Sequence, residues 1–317
     1  MTSKDRTSAV FSDADASGSQ AEYAGSIPVI GSTGPSQPAP FAPRPYAARM
    51  TERVVSSRLD LEVTDPTTLE LQIAVAPLPG ADVVDTLSIT VDGEPAEVTE
   101  FAGSHGTRVH RLPVESGKVL VQYDATVTGL ADPAPTTELE RAIYLRPSRY
   151  AEADKFFGFA ATEFGSIEDD ADVVTAVADW VGARLSYVPG SSDPIDGAAD
   201  TLLAGAGVCR DYAHLVVAML RALNVPARLV AVYAPGCDPM DFHAVAEAMV
   251  GDRWLVVDST ALAPRQTLVR IATGRDAADT AFLTNYRGAM TLNSSEVTAV
   301  VTGGLPVDDG REAVVLR

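Results

Sequence analysis

The stretch that decides how this 317-residue chain is read is Gly205-Ala206-Gly207-Val208-Cys209-Arg210-Asp211-Tyr212-Ala213-His214-Leu215. Two glycines precede the cysteine. After it, Ala213, Val216, Val217 and Leu220 recur on one face at helical spacing, and Asn224-Val225-Pro226 ends the pattern. The spacing predicts a buried helix over about 208–223, with Cys209 in its first turn and a flexible glycine approach before it. Unpaired N–H groups and the helix dipole stabilise an anion at that place, so a thiolate is favoured there. The same N–H groups can hold an oxyanion. A small core cysteine at a helix start would give the same local pattern, so the chemical reading needs a base as well.

A base is available downstream. Asp241-Phe242-His243-Ala244-Val245-Ala246-Glu247-Ala248-Met249-Val250 has strand texture, and Arg253-Trp254-Leu255-Val256-Val257-Asp258 reads as the return strand. Gly251-Asp252 between them fits a two-residue type II′ turn with glycine first. That turn pairs Val250 with Arg253 and sets Asp258 opposite Val245. His243, two residues earlier, then shares the face of Asp258 across a diagonal of about 7–8 Å, which an imidazole and a carboxylate can close. A cysteine nucleophile requires such an oriented histidine. Taken singly, His243 reads as a structural histidine and Asp258 as a cap on the loop Asp258-Ser259-Thr260. The order Cys, His, Asp in these local contexts favours a catalytic set.

These residues resemble a known family. Gly-Val-Cys-Arg-Asp-Tyr-Ala-His at 207–214, Arg-Ala-Leu-Asn-Val-Pro-Ala-Arg at 221–228, Asp-Phe-His-Ala at 241–244 and Trp-Leu-Val-Val-Asp-Ser-Thr at 254–260 are similar to the bacterial branch of the transglutaminase-like superfamily, papain-like cysteine enzymes. Leu145-Arg146-Pro147-Ser148-Arg149-Tyr150 and Leu185-Ser186-Tyr187-Val188-Pro189-Gly190 also look like that branch. The resemblance covers about 140–301. It implies an α+β fold in which the helix of Cys209 packs on an antiparallel sheet carrying His243 and Asp258. It further implies acyl transfer from a peptide or protein amide through a thioester, and Tyr187 as an oxyanion donor beside the N–H of Cys209. Val245 and Ser259 stand where many relatives carry Trp and Pro; neither belongs to the triad, so they bear on substrate choice. No calcium loop is present and no cofactor is implied.

Upstream, Leu59-Asp60-Leu61-Glu62-Val63, Leu69-Glu70-Leu71-Gln72-Ile73 and Leu87-Ser88-Ile89-Thr90-Val91 alternate, and Val119-Leu120-Val121-Gln122-Tyr123 is a short apolar run. Asp65-Pro66, Leu78-Pro79-Gly80, Asp92-Gly93 and Ser116-Gly117 separate them, which predicts a small antiparallel β-sandwich. The expected organisation is a disordered Ser/Gly/Pro-rich tail over 1–48, the sandwich over 49–137 with a linker at its end, a catalytic unit over 138–301, and a loose tail over 302–317. Helices are expected near 150–164 and 170–185, and strands near 227–234, 267–273 and 295–301.

Composition narrows the partners. With 24 Lys+Arg against 43 Asp+Glu the formal net charge is −19, a field that repels phosphates, so neither nucleic acid nor an anionic membrane surface is expected. Two cysteines, a polar N-terminus without a signal-peptide pattern and no apolar run near ~20 residues suggest a cytoplasmic protein. Two rival functions fit some of the residues. One is a non-catalytic scaffold that kept the fold. The other is a zinc site from Cys209, Cys237, His243 and Asp241 or Asp258, which lacks the paired cysteines typical of such sites.

Overall fold

Alternation governs the first half of the described chain, residues 52–317 of this computed structural model. The tail expected over 1–48 lies outside the described residues. In β1 (Glu52–Asp65) the side chains of Val55, Leu59, Leu61 and Val63 turn inward while their neighbours face out. β2 (Thr67–Leu71) follows across Pro66, and β3 (Ala81–Val91) turns back through Asp92-Gly93 into β4 (Glu94–Pro95). Both turn residues have positive φ, 51° and 87°, as a type I′ hairpin requires. β5 (Thr99–Ala102), β6 (Arg108–Val114) and β7 (Gly117–Gly129) complete this run.

Helices then take over. α1 (Glu138–Tyr144) is capped by the Thr137 hydroxyl, which accepts the Glu140 N–H at 3.1 Å. α2 (Phe157–Phe164) and α3 (Asp170–Arg184) occupy the stretches expected to be helical, and the Asp169 carboxylate caps α3. β8 (Ser186–Tyr187), α4 (Ala198–Ala204) and β9 (Ala206–Gly207) lead into α5 (Cys209–Ala222). Beyond it run β10 (Ala227–Tyr233), β11 (His243–Val250), β12 (Arg253–Val257) and β13 (Val269–Gly274). The chain closes with α6 (Ala277–Thr280), β14 (Leu283–Tyr286) and β15 (Ala289–Val301).

Two antiparallel sheets, ordered β15-β1-β7-β3-β4 and β14-β2-β6-β5, form the sandwich. Leu59, Leu61, Val119, Val121 and Tyr123 of the first meet Leu69, Leu71, Leu112 and Val114 of the second in one core. A third antiparallel sheet, β12-β11-β10-β13, carries α5 on one face. Ala227, Ala246, Ala248 and Val257 lie beneath Leu215, Val216 and Met219 of the helix. Small residues on the strands let the helix approach closely, which fixes the height of its N-terminus above the sheet. The fold is therefore α+β, with the helix of Cys209 on an antiparallel sheet behind a strand-rich region.

Two expectations are corrected. Residues 295–301, read as the last strand of the α/β unit, pair with β1, Val297 against Ser57 and Ala299 against Val55. Their inward apolar residues Val297 and Ala299 complete the sandwich core. Residues 302–317, read as a loose tail, return to β12 at Val314. The Val256 N–H donates to the Val314 carbonyl at 2.8 Å, and Val314 and Leu316 are buried. At that point the segment gives a partner to an N–H on the outer edge of β12.

Candidate active site

The two glycines before Cys209 serve geometry, and the flexibility expected of them is not their role. Gly205 ends α4 in the left-handed region at φ +65°. Gly207 lies against the first turn of α5, where a Cβ would come within 2.7 Å of the Asp211 Cβ. Asp211 needs that space because its carboxylate accepts the Val208 N–H at 2.8 Å and closes the helix start. Cys209 is thus the first residue of α5, held on a capped turn, with its side chain partly exposed. Arg210 beside it binds Asp211 Oδ1 at 3.3 Å and the Asp193 carbonyl at 2.7 Å, which ties the 188–196 loop to the helix.

The hairpin register is the one the turn implied. Val250 pairs with Arg253 and Ala246 with Val257, with Gly251 at φ +60°. Continuing that register sets Asp258 just past β12, opposite Val245 near the start of β11. Nε2 of His243 lies 2.8 Å from Oδ2 of Asp258, and their side chains are only 1% and 2% exposed. With Nε2 engaged by the carboxylate, Nδ1 is the nitrogen left for the thiol. Burial is the strongest single influence on His243 and pulls its pKa down, yet Asp258 and Cys209 together hold it well above 6.5. Burial likewise pushes Asp258 up, and His243 with Thr260 brings it below the usual carboxylate value. Cys209 Sγ lies 4.0 Å from the Phe242 carbonyl, on the approach to His243.

Tyr187 reaches the same place by a short parallel pairing of β8 with β9, Tyr187 against Gly207. Burial raises the pKa of its phenol, as do Cys209, Cys237 and Asp241, while the Cys209 N–H works in the opposite direction as a donor to the hydroxyl. The structure therefore brings Cys209, His243, Asp258 and Tyr187 to one locus.

Other candidates lie apart or gain partners. His214 is fully buried along α5, accepts the Ala277 N–H on Nε2 at 3.1 Å and stacks on Tyr150. Burial pushes its pKa down to about 3. Cys237 is buried in the loop before β11, with its pKa raised first by burial and opposed by His243. Among the described residues no group of three or more His, Cys, Asp and Glu side chains is placed to hold a metal ion. No helix among them is long and apolar enough to cross a membrane. Sequence reasoning missed Thr260, whose hydroxyl and N–H both point at Asp258. The signal was present in Asp258-Ser259-Thr260, the spacing of a side-chain-closed turn.

The family model of the transglutaminase-like superfamily matches residues 159–259, a span that contains Cys209, His243 and Asp258. A crystal structure of a candidate cysteine protease from Cytophaga hutchinsonii superposes with a TM-score of 0.76 at 32% identity, over 84% of this chain and 96% of that one. An uncharacterized protein of Mycobacterium leprae is 27% identical over 160 residues, 47% of this chain and 57% of that protein. The match thus spans little more than half of that relative's length. An uncharacterized Mycobacterium tuberculosis protein is 26% identical over 245 residues, 65% of this chain and 76% of its own length. Fold, family model and extended identity agree: the chain belongs to the transglutaminase-like superfamily.

Proposed function

We propose that this protein is a cysteine-dependent acyl-transfer enzyme that cleaves an amide in a peptide or protein. The observation that carries the reading is the buried 2.8 Å contact between His243 and Asp258, aimed at a cysteine on the first turn of a helix. Cys209 attacks the amide carbonyl and His243 takes the thiol proton on Nδ1. Asp258 fixes the ring through Nε2 and balances the imidazolium that forms. Negative charge developing on the carbonyl oxygen meets the Tyr187 hydroxyl and the N-terminal N–H groups of α5. As the tetrahedral intermediate collapses, the C–N bond breaks, the imidazolium protonates the leaving amine, and a thioester remains on Cys209. Water activated by His243 then hydrolyses the thioester, freeing the carboxylate and the thiol.

An amine in place of water would make the same machinery a transglutaminase. Two observations favour water: the nucleophile is partly exposed, and the 32% identical relative is described as a candidate cysteine protease. The test is incubation of the purified protein with a glutamine- and amide-containing peptide library, with and without a primary amine. Cleavage or ammonia release that disappears in Cys209→Ala supports the hydrolase, and amine incorporation assigns the transferase. Undiminished turnover in Cys209→Ala overturns the mechanism. An inert, slowly alkylated Cys209 would return the fold to a binding role.

A further inference from the structure

Each oxygen of the Asp258 carboxylate has a separate duty. Oδ2 faces His243. Oδ1 accepts two hydrogen bonds from one residue, the Thr260 N–H at 2.9 Å and the Thr260 hydroxyl at 2.6 Å. The hydroxyl in turn accepts the Leu262 N–H at 3.4 Å. A hydroxyl has one proton to donate, and with a donor already approaching its lone pair, that proton is directed at Asp258. The side chain of Asp258 is 2% exposed, so these bonds take the place of hydration for a buried anion. They also fix rotation about the Cβ–Cγ bond. A carboxylate held by His243 alone could pivot and carry Oδ2 off the line of Nε2. The turn that closes the loop after β12 and the orientation of the imidazole are thus one structure.

We infer that Thr260 is a positioning residue for the proposed reaction, its hydroxyl locking the Asp258 carboxylate in the plane that aims His243 at Cys209. The inference rests on the triad reading above. The groups that face the imidazole are Asp258 beyond β12, Cys209 on α5, and Cys237 and Asp241 in the loop before β11. Of these groups, Asp258 is the one that Thr260 hydrogen-bonds, so the loss of its hydroxyl is passed to the ring through that carboxylate.

The experiment follows alkylation of Cys209 by iodoacetamide as a function of pH. The modified peptide is quantified by mass spectrometry so that Cys237 does not contribute, and thermal unfolding is measured on the same samples. This readout needs no substrate, so it stands apart from the turnover test of Cys209→Ala. Thr260→Val keeps the shape and removes the hydroxyl; Thr260→Ala removes the hydroxyl together with the γ-methyl, should valine not be accommodated; Thr260→Ser keeps the hydroxyl and removes the methyl. The valine and alanine variants are expected to alkylate about tenfold more slowly near neutral pH, the scale of one charge-assisted hydrogen bond, with the acid limb moved to higher pH. Serine is expected to restore the wild-type profile. An unchanged profile in the folded valine or alanine variant overturns the inference. So does a serine variant as slow as alanine, because the loss would then follow the methyl group.

Discussion

Two histidines are buried within the same half of the molecule, and they are driven in opposite directions. His214 sits midway along α5, and His243 sits at the start of the hairpin. Both rings are buried, and burial is the largest influence on both. His214 meets a backbone N–H, a tyrosine face and the charges of Arg210 and Arg221, with Asp276 as the opposing influence, and its pKa falls to about 3. His243 meets a directly bonded carboxylate and the thiol, and its pKa rises well above 6.5. Burial alone makes a neutral ring that serves as an acceptor. A buried carboxylate in contact makes a ring able to hold a proton, which is the property a thiol nucleophile needs.

The sharpest way to break this contrast is to remove the charge that separates the two sites. Asp258→Asn preserves size and the Thr260 turn but offers His243 no negative charge. Turnover is expected to fall ~10³–10⁴-fold, the scale seen when a triad carboxylate is neutralised. Alkylation of Cys209 should slow with it. The companion variant His214→Gln is expected to leave turnover per folded molecule unchanged. Equal losses in both variants would mean that the two histidines share one role.

A second carboxylate extends the comparison from catalysis to stability. Glu247 lies on β11 two turns of alternation beyond His243 and is fully buried between two arginines, Arg228 Nε at 2.8 Å and a terminal nitrogen of Arg270 at 2.6 Å. Burial works against its ionisation, and the two guanidinium groups overcome it and bring its pKa down to about 2. Arg228 also lies over the Trp254 ring at 3.8 Å. Glu247→Gln takes the counter-charge from Arg270 and one of two from Arg228, which keeps Glu140 at 3.0 Å, and is expected to cost about 3–5 kcal/mol in urea unfolding. Whatever remains folded should keep its turnover. Along β11 one buried carboxylate is thus held by arginines in the middle of the strand, while another meets the histidine at its start.

The legibility of these parts in the sequence follows from how local their determinants are. The hairpin was readable because a two-residue Gly-Asp turn fixes register, and register fixes which side chains share a face. The helix of Cys209 was readable because its 3.6-residue period is strong. Strand β15 was recognised as strand in its second half but assigned to the wrong sheet, since alternation specifies an inward face and leaves the partner open. The association of Val314 and Leu316 with β12 depends on contacts across the chain, and isolated apolar residues near Gly-rich stretches do not announce it. Tyr187 entered through resemblance; its physical route to Cys209 is a two-residue parallel pairing too short to carry a periodicity. Thr260 was passed over because Asp258 was weighed as either a loop cap or a partner of His243, whereas one oxygen closes the turn and the other meets the histidine.

Acid and alkaline stability should separate the histidines with smaller effects. The unfolded chain binds a proton on His214 below about pH 6.5, which the native state refuses until about 3. Its unfavourable contribution is absent above the unfolded value and grows as pH falls, by up to about 1.4 kcal/mol per pH unit. His243 has the opposite sign: its contribution is fully present below about pH 6.5 and is lost as pH rises through its raised native value. Urea unfolding across pH should therefore show a shallower acid limb in His214→Gln and a shallower alkaline limb in His243→Gln. Parallel pH curves for the two variants would contradict the opposite environments.

The smallest effect tests whether contact or burial gives a charge its value. The C-terminal segment holds two ion pairs of similar length. Arg265 reaches Asp308 at 2.8 Å with both side chains 9% exposed, and it also bonds the Val256 and Glu312 carbonyls, so it joins the segment to β12. Arg311 reaches Asp179 at 2.9 Å, but these side chains are 64% and 58% exposed. Solvent already satisfies the exposed pair, so Arg311→Ala is expected to change unfolding free energy by less than ~0.5 kcal/mol. Arg265→Ala removes buried bonds that water cannot replace and should destabilise clearly more. If Arg311→Ala proved as costly, proximity rather than exclusion of water would set the strength of these pairs, and the contrast between His214 and His243 would lose its physical basis.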